Sequence, residues 1–104
     1  MRYAARLEEL PERGLHAVTL EDGERICLAR DGDTVYAMSD VCTHQEFAMS
    51  EGVLLPGGRI ECAWHGAVFD CRTGAVCRFP ATEPLPVYHV AVDDGVVWVG
   101  ERRR

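Results

Sequence analysis

The sequence contains no lysine; all 11 of its basic residues are arginine. That bias reads as genome composition, of a GC-rich or heat-adapted source, rather than as function. Positive charge is scarce altogether, with 17 acidic residues against 11 basic and a net charge of −6. A surface of that sign repels phosphate backbones and argues against a nucleic-acid partner. It suits a protein partner that offers a basic patch. Long apolar runs are lacking too. None approaches the roughly 18 residues of a membrane span. The opening Met1-Arg2-Tyr3-Ala4-Ala5-Arg6 has no apolar stretch of the signal-peptide kind. The expectation is a cytoplasmic protein with no membrane partner. Cysteine is present, but five of them, at 27, 42, 62, 71 and 77, make an odd count that argues against a disulfide framework. A reducing compartment turns attention to metal binding. The tail Arg102-Arg103-Arg104 reads as a frayed, solvated end rather than a basic anchor.

Helical signals are also weak. No long i, i+3, i+4 apolar stripe occurs, and five prolines and ten glycines punctuate the chain. Short β-rich runs take their place. Leu15–Leu20, Arg25–Ala29 and Thr34–Met38 are separated by Glu21-Asp22-Gly23 and Asp31-Gly32-Asp33. Val87–Val92 and Val96–Val99 flank Asp93-Asp94-Gly95, the composition of a hairpin turn. Between these groups the character changes. Residues 40–80 hold most of the cysteines and the turn signals Pro56-Gly57-Gly58 and Arg72-Thr73-Gly74, with short strand candidates at Arg59–Cys62 and Val68–Asp70. With 104 residues the chain forms one domain, 1–104. We expect an all-β fold: an antiparallel β-sandwich base, about 1–39 and 84–100, carrying a smaller inserted lobe, about 40–83.

The lobe holds the chemistry. Cys42-Thr43-His44 is followed by 17 residues and then Cys62-Ala63-Trp64-His65. Each half pairs one thiolate with one imidazole. A Rieske centre needs that set, because two histidines replace two cysteines on one of its two irons. Structural zinc also accepts two cysteines and two histidines, but its usual spacings cluster like ligands, whereas each half here mixes them. The expected ligands of one [2Fe–2S] cluster are Cys42, His44, Cys62 and His65.

The segment Cys42-Thr43-His44, Cys62-Ala63-Trp64-His65-Gly66, Phe69-Asp70, Arg72-Thr73-Gly74 and Pro80-Ala81 resembles the Rieske ferredoxins that serve bacterial aromatic-ring dioxygenases. The resemblance runs from the Leu15 strand to Val99. It implies the Rieske fold, with a rubredoxin-like cluster lobe and both histidines exposed at its tip. It implies an electron carrier rather than an enzyme, one that takes electrons from a flavin-dependent reductase and gives them to a terminal oxygenase. The carrier is expected to be a monomer. Phe79-Pro80-Ala81 is implied to shield the cluster. Other systems use stand-alone Rieske ferredoxins as well, namely nitrite reductase small subunits and proteins encoded near iron–sulfur assembly machinery. A complete oxygenase would need a mononuclear iron site with two further histidines and a carboxylate. Only His16 and His89 remain, and both read as structural.

Two ferric ions, two sulfides and two thiolates sum to a neutral unit, so adding one electron costs less than it would with four thiolates. High-potential Rieske proteins add a disulfide between the ligand loops and Ser and Tyr hydroxyls on the cluster sulfurs. Here Phe47 and Trp64 take the disulfide positions, and Ala67 and Phe69 take the hydroxyl positions. The expected potential lies low in the Rieske range of about −150 to +300 mV. It is expected to fall at alkaline pH as the outer nitrogens of His44 and His65 lose protons. Gly66 is expected to let backbone amides approach a sulfide. Gln45, Glu46 and Phe47 are placed near the partner-facing tip, with Glu46 read as a solvated charge. Trp64 reads equally as a docking aromatic or as packing. Cys27 reads as a small buried apolar residue. Cys71 and Cys77 read as two thiols without a disulfide, with Cys71 facing Ala75 across a three-residue turn.

Overall fold

Ile26, Cys27, Leu28 and Ala29 are all fully buried, because their strand has a core on each face. Side chains alternate across a strand. Ile26 and Leu28 point into one apolar cluster with Ala5, Val35, Ala37, Val97 and Val99. Cys27 and Ala29 point into a second, with Met38, Ile60, Phe69 and Leu85. Each fully buried aliphatic side chain contributes roughly 1.5–3 kcal/mol.

A computed structural model describes residues 1–43, 47–63, 66–79 and 81–103. The strands are β1 (Arg2–Arg6), β2 (Arg13–Thr19), β3 (Arg25–Asp31), β4 (Thr34–Ser39), β5 (Val53–Leu55), β6 (Arg59–Glu61), β7 (Val68–Asp70), β8 (Val76–Arg78), β9 (Val87–Asp93) and β10 (Val96–Arg102). Among the described residues the helical pieces are two 3-10 turns, Leu7–Glu9 and Met49–Glu51. β1, β10, β9, β4, β3 and β2 form one antiparallel sheet in that order, and β5 to β8 form a second in sequence order. The large sheet curls until its edges β1 and β2 touch. Arg2 of β1 then reaches Asp22 at 2.7 Å and Glu24 at 3.1 Å beside the β2–β3 turn. The first cluster fills the inside of the curl. The second lies between the outer face of β3 and β4 and the small sheet.

Three strands go beyond those expected from sequence: β1, β5 and β8. β10 also runs on to Arg102, and Arg103 donates its N–H to the Val87 carbonyl at 2.7 Å. The first two arginines of the tail are therefore tied to β9 rather than frayed. The turn after β7 differs as well. The Asp70 N–H donates to Ala75 O at 2.9 Å, which makes Asp70 the partner of Ala75 and leaves Cys71 inside the turn. The cause is the Asp70 carboxylate, which accepts the N–H groups of Arg72 at 2.8 Å and Thr73 at 3.2 Å. Burial pushes its pKa up, but these bonds and the Arg72 guanidinium outweigh burial and hold it below the usual range.

Gly74 closes the same turn with φ +78, and its carbonyl accepts the Leu85 N–H at 2.8 Å. A Cβ at this position would run into the Leu85 carbonyl oxygen. Gly74→Ala is expected to destabilise the protein by about 2–3 kcal/mol. Thermal melting should show a drop of roughly 10 °C or more for a domain of this size. An unchanged melting temperature would contradict the close approach.

Candidate metal centre

Cys42 and Cys62 open two loops of the same construction. Beyond β4, Val41 forms an isolated antiparallel bridge with Ala48, and the Cys42 N–H donates to Phe47 O at 2.9 Å. Beyond β6, Glu61 pairs with Val68, and the Cys62 N–H donates to Ala67 O at 2.8 Å. In both loops the cysteine is the last residue held by the ladder below. Its thiol therefore starts from a fixed backbone. Cys42 is 3 % exposed and Cys62 1 % exposed, and both belong to the same buried cluster. The fold thus brings two thiols that are 20 positions apart in sequence into one water-poor core. His44 and His65 lie outside the described residues, as do Gln45, Glu46, Trp64 and Pro80. No three His, Cys, Asp or Glu side chains gather into a metal site among the described residues, a set that excludes both expected histidine ligands.

The second loop turns at Gly66, φ +71, with Glu61 Oε2 and the Arg78 guanidinium beneath it. Arg78 pairs with Glu61 at 2.8 Å and so ties β8 to β6 at the foot of this loop. A third segment packs into the same core. Ala81 and Leu85 are buried in the core that holds the cysteines. The Thr43 hydroxyl, next to Cys42, donates to Glu83 O at 2.9 Å and fastens this segment to the first loop. Of Phe79-Pro80-Ala81, Ala81 is buried and Phe79 is 76 % exposed, while Pro80 lies outside the described residues. Phe47 is half-buried against the same core. Ala67 and Phe69 are wholly buried, so both positions beside the second loop are apolar as well as lacking a hydroxyl.

The remaining cysteines divide by environment. Cys27 is fully buried on β3, and burial, with a smaller push from Asp40, raises its thiol pKa. Cys71 is buried in the Asp70 turn and its pKa is pushed up to about 12, mainly by burial and then by Asp70. Such thiols stay protonated and unreactive at neutral pH. Cys77 is exposed on β8, and no disulfide joins it to Cys71. His16 is half-buried on β2 and His89 is exposed on β9. A hollow of about 610 Å³ lies on the base, lined by Arg2, Glu24, Tyr88 and Arg102 among others, with no residue of either cysteine loop. No helix of the described residues is long and apolar enough to cross a membrane.

Two buried thiols on matched loops, each followed in sequence by a histidine, suit both a mixed-ligand cluster and zinc. Comparison with known proteins separates the two. The sequence profile of the Rieske [2Fe-2S] domain matches residues 2–89. The chain belongs to the Rieske [2Fe–2S] family. The cofactor that goes with this membership is one Rieske-type [2Fe–2S] cluster. The 3-phenylpropionate/cinnamic acid dioxygenase ferredoxin subunit of Escherichia coli K12 is 35 % identical over 97 residues, covering 93 % of this chain and 90 % of that protein. The ferredoxin of carbazole 1,9a-dioxygenase from Nocardioides aromaticivorans IC177 superposes with a TM-score of 0.87 at 36 % identity, over 96 % of this chain and 95 % of that one. A chain from the complex of reduced oxygenase and oxidized ferredoxin in carbazole 1,9a-dioxygenase gives a TM-score of 0.86 at 34 % identity, over 94 % and 99 %. The all-β Rieske ferredoxin fold expected from the sequence is the observed one. The relatives that match over nearly their whole length are named ferredoxin components, electron carriers of dioxygenase systems rather than enzymes themselves.

The sequence reading missed Thr43, Glu61 and Arg78, which hold the loops in place. Their signal was faint. A threonine between Cys42 and His44 and two charges on short strands carry no periodic pattern.

Proposed function

We propose that this Rieske protein is a low-potential, one-electron shuttle that takes electrons from a flavin-dependent reductase and delivers them to a terminal oxygenase. Its cluster ligands are Cys42, His44, Cys62 and His65. It works as a single domain, 1–104, with a base of about 1–39 and 84–100 and a cluster lobe of about 40–83, as a monomer in the cytoplasm. The observation that carries the reading is the pair of matched loops presenting Cys42 and Cys62 to one buried core. The ferredoxin bound to its oxygenase in the carbazole system supports the choice of acceptor.

When bound, the cluster accepts and releases one electron. The residues around it do the rest. Cys42 and Cys62 anchor it from the protein side. Ala67, Phe69 and Ala81 exclude water there, since all three are buried. That leaves His44 and His65 as the ligands through which an electron leaves toward a partner. Such a transfer makes and breaks no bonds at the carrier, so no substrate pocket is required. Ala67 and Phe69 donate no hydrogen bond from their side chains, which keeps the reduced state less stabilised and supports a low potential.

The net charge of −6 brings the carrier to a basic docking face. Stopped-flow mixing of the reduced protein with oxygenases encoded near its gene tests the proposal. One of them is expected to oxidise it with a rate constant that falls as salt rises, because the Debye length shrinks from about 30 Å at 0.01 M to about 8 Å at 0.15 M. Failure of every neighbouring oxygenase to oxidise it would count against this function.

A further inference from the structure

Among the described residues, Asp40 is the one buried charged side chain, at 4 % exposure. It follows β4 and precedes Cys42 by two positions. Its Oδ1 accepts the Ser50 N–H at 2.7 Å, and its Oδ2 accepts the Ser50 hydroxyl at 3.1 Å. Its carbonyl accepts the Met49 N–H at 2.7 Å, and its own N–H donates to Arg25 O at 3.1 Å. Above these contacts Val41 bridges Ala48, and Cys42 bonds to Phe47. The first cysteine loop therefore stands on a ladder whose lowest rung is a carboxylate.

Geometry alone does not call for a charge here. An asparagine could accept the Ser50 N–H through its one carbonyl oxygen, though less strongly and without the hydroxyl bond at the second oxygen. None of the ion pairs among the described residues includes Asp40, so no arginine among those residues offsets it. A buried carboxylate without a counter-ion is costly. Its field reaches the core, where it adds to burial in raising the Cys27 thiol. Cys27 shares that core with Cys42 and Cys62.

We infer that Asp40 is a positioning residue for the first cysteine loop and that its negative charge holds down the reduction potential of the cluster. The inference rests on Cys42 being a cluster ligand. Reduction adds an electron to a neutral unit, and a fixed anion in a low-dielectric interior opposes that step. The two Ser50 donors spread the charge and temper the effect. Substitutions at the two residues should then act with opposite signs. Asp40→Asn keeps an acceptor for the Ser50 N–H and removes the charge, so the midpoint should rise. Ser50→Ala keeps the charge and removes one donor, so the midpoint should fall. Loosening of the loop alone would not produce opposite shifts.

The test is redox titration of purified holoprotein, wild type and both variants, with iron content and the reduced-state EPR spectrum measured on the same samples. The expected result is an upward shift for Asp40→Asn and a downward shift for Ser50→Ala, with the EPR line shape kept. Unchanged midpoints, or shifts of the same sign, would overturn the inference. If Asp40→Asn does not load the cluster, Ser50→Ala decides alone: a downward shift supports the inference and no shift overturns it. A wild-type protein without an iron–sulfur cluster would overturn the inference together with the reading beneath it.

Discussion

Cys42→Ala and Cys62→Ala are each expected to give a colourless protein with almost no iron or acid-labile sulfide. On the proposed four-ligand assignment, each substitution removes a thiolate that no neighbour can replace. Cys27 and Cys71, the other buried cysteines of the same core, lie on β3 and in the Asp70 turn, and burial raises the pKa of both thiols. Water is a poor substitute where the two positions are 3 % and 1 % exposed. Removing a mere outer hydrogen-bond partner of a metal site already costs about 10–100-fold in affinity, and losing a ligand should cost more. Cluster binding is coupled to folding, so both variants should also melt at lower temperature than the holoprotein. Cys77→Ala is the control. Its thiol is exposed on β8, and the variant should keep full colour and iron. Iron and sulfide per chain, read beside the visible spectrum, check all three. Full cluster content in Cys42→Ala or Cys62→Ala would remove that residue from the ligand set.

The double variant Ala67→Ser/Phe69→Tyr is expected to raise the midpoint potential by roughly 80 mV. Both side chains are wholly buried beside the second cysteine loop, and neither offers a hydroxyl. Hydrogen bonds to charged acceptors contribute about 1.5–3 kcal/mol, and each new donor should favour the reduced cluster over the oxidised one by about 1 kcal/mol. For a one-electron couple about 1.4 kcal/mol corresponds to 59 mV, which gives about 40 mV per hydroxyl. The single variants should then shift the potential by about half as much each. Their buried sites leave little room, so some loss of stability is expected alongside. Redox titration provides the check. A double variant that keeps its cluster and its wild-type midpoint would show that missing hydroxyls do not set the potential.

Much of the architecture was readable from residue order. Val87–Val92 and Val96–Val99 around Asp93-Asp94-Gly95 became β9 and β10, joined by a two-residue turn between Asp93 and Val96. The Ile26–Ala29 run became a strand with a core on each face. β1, β5 and β8 escaped for physical reasons. β1 buries only Ala5, and its flanking arginines obscure any alternation. β5 and β8 are the three-residue edge strands of the small sheet, each held by pairing on one side only, with β6 and β7. The Cys71 register was off by one because the Asp70 carboxylate gathers two N–H groups and widens the turn.

The candidate centre divides in the same way. Cys42, His44, Cys62 and His65 stand out because thiol and imidazole types mark themselves in a sequence. Their supports do not. Thr43 meets Glu83 across 40 positions, and Asp40 meets Ser50 across 10, so neither contact belongs to a local pattern. These contacts arise only once β4, the first cysteine loop and the segment of Ala81 and Leu85 are packed together.

EPR of the reduced protein, prepared with 15N-labelled histidine, tests the central claim most directly. The four-ligand assignment predicts a one-electron-reduced [2Fe–2S] signal coupled to two histidine nitrogens, with one coupling lost in any His44 or His65 variant that still holds a cluster. A zinc-containing, EPR-silent protein, or a cluster signal with no histidine coupling, would contradict it.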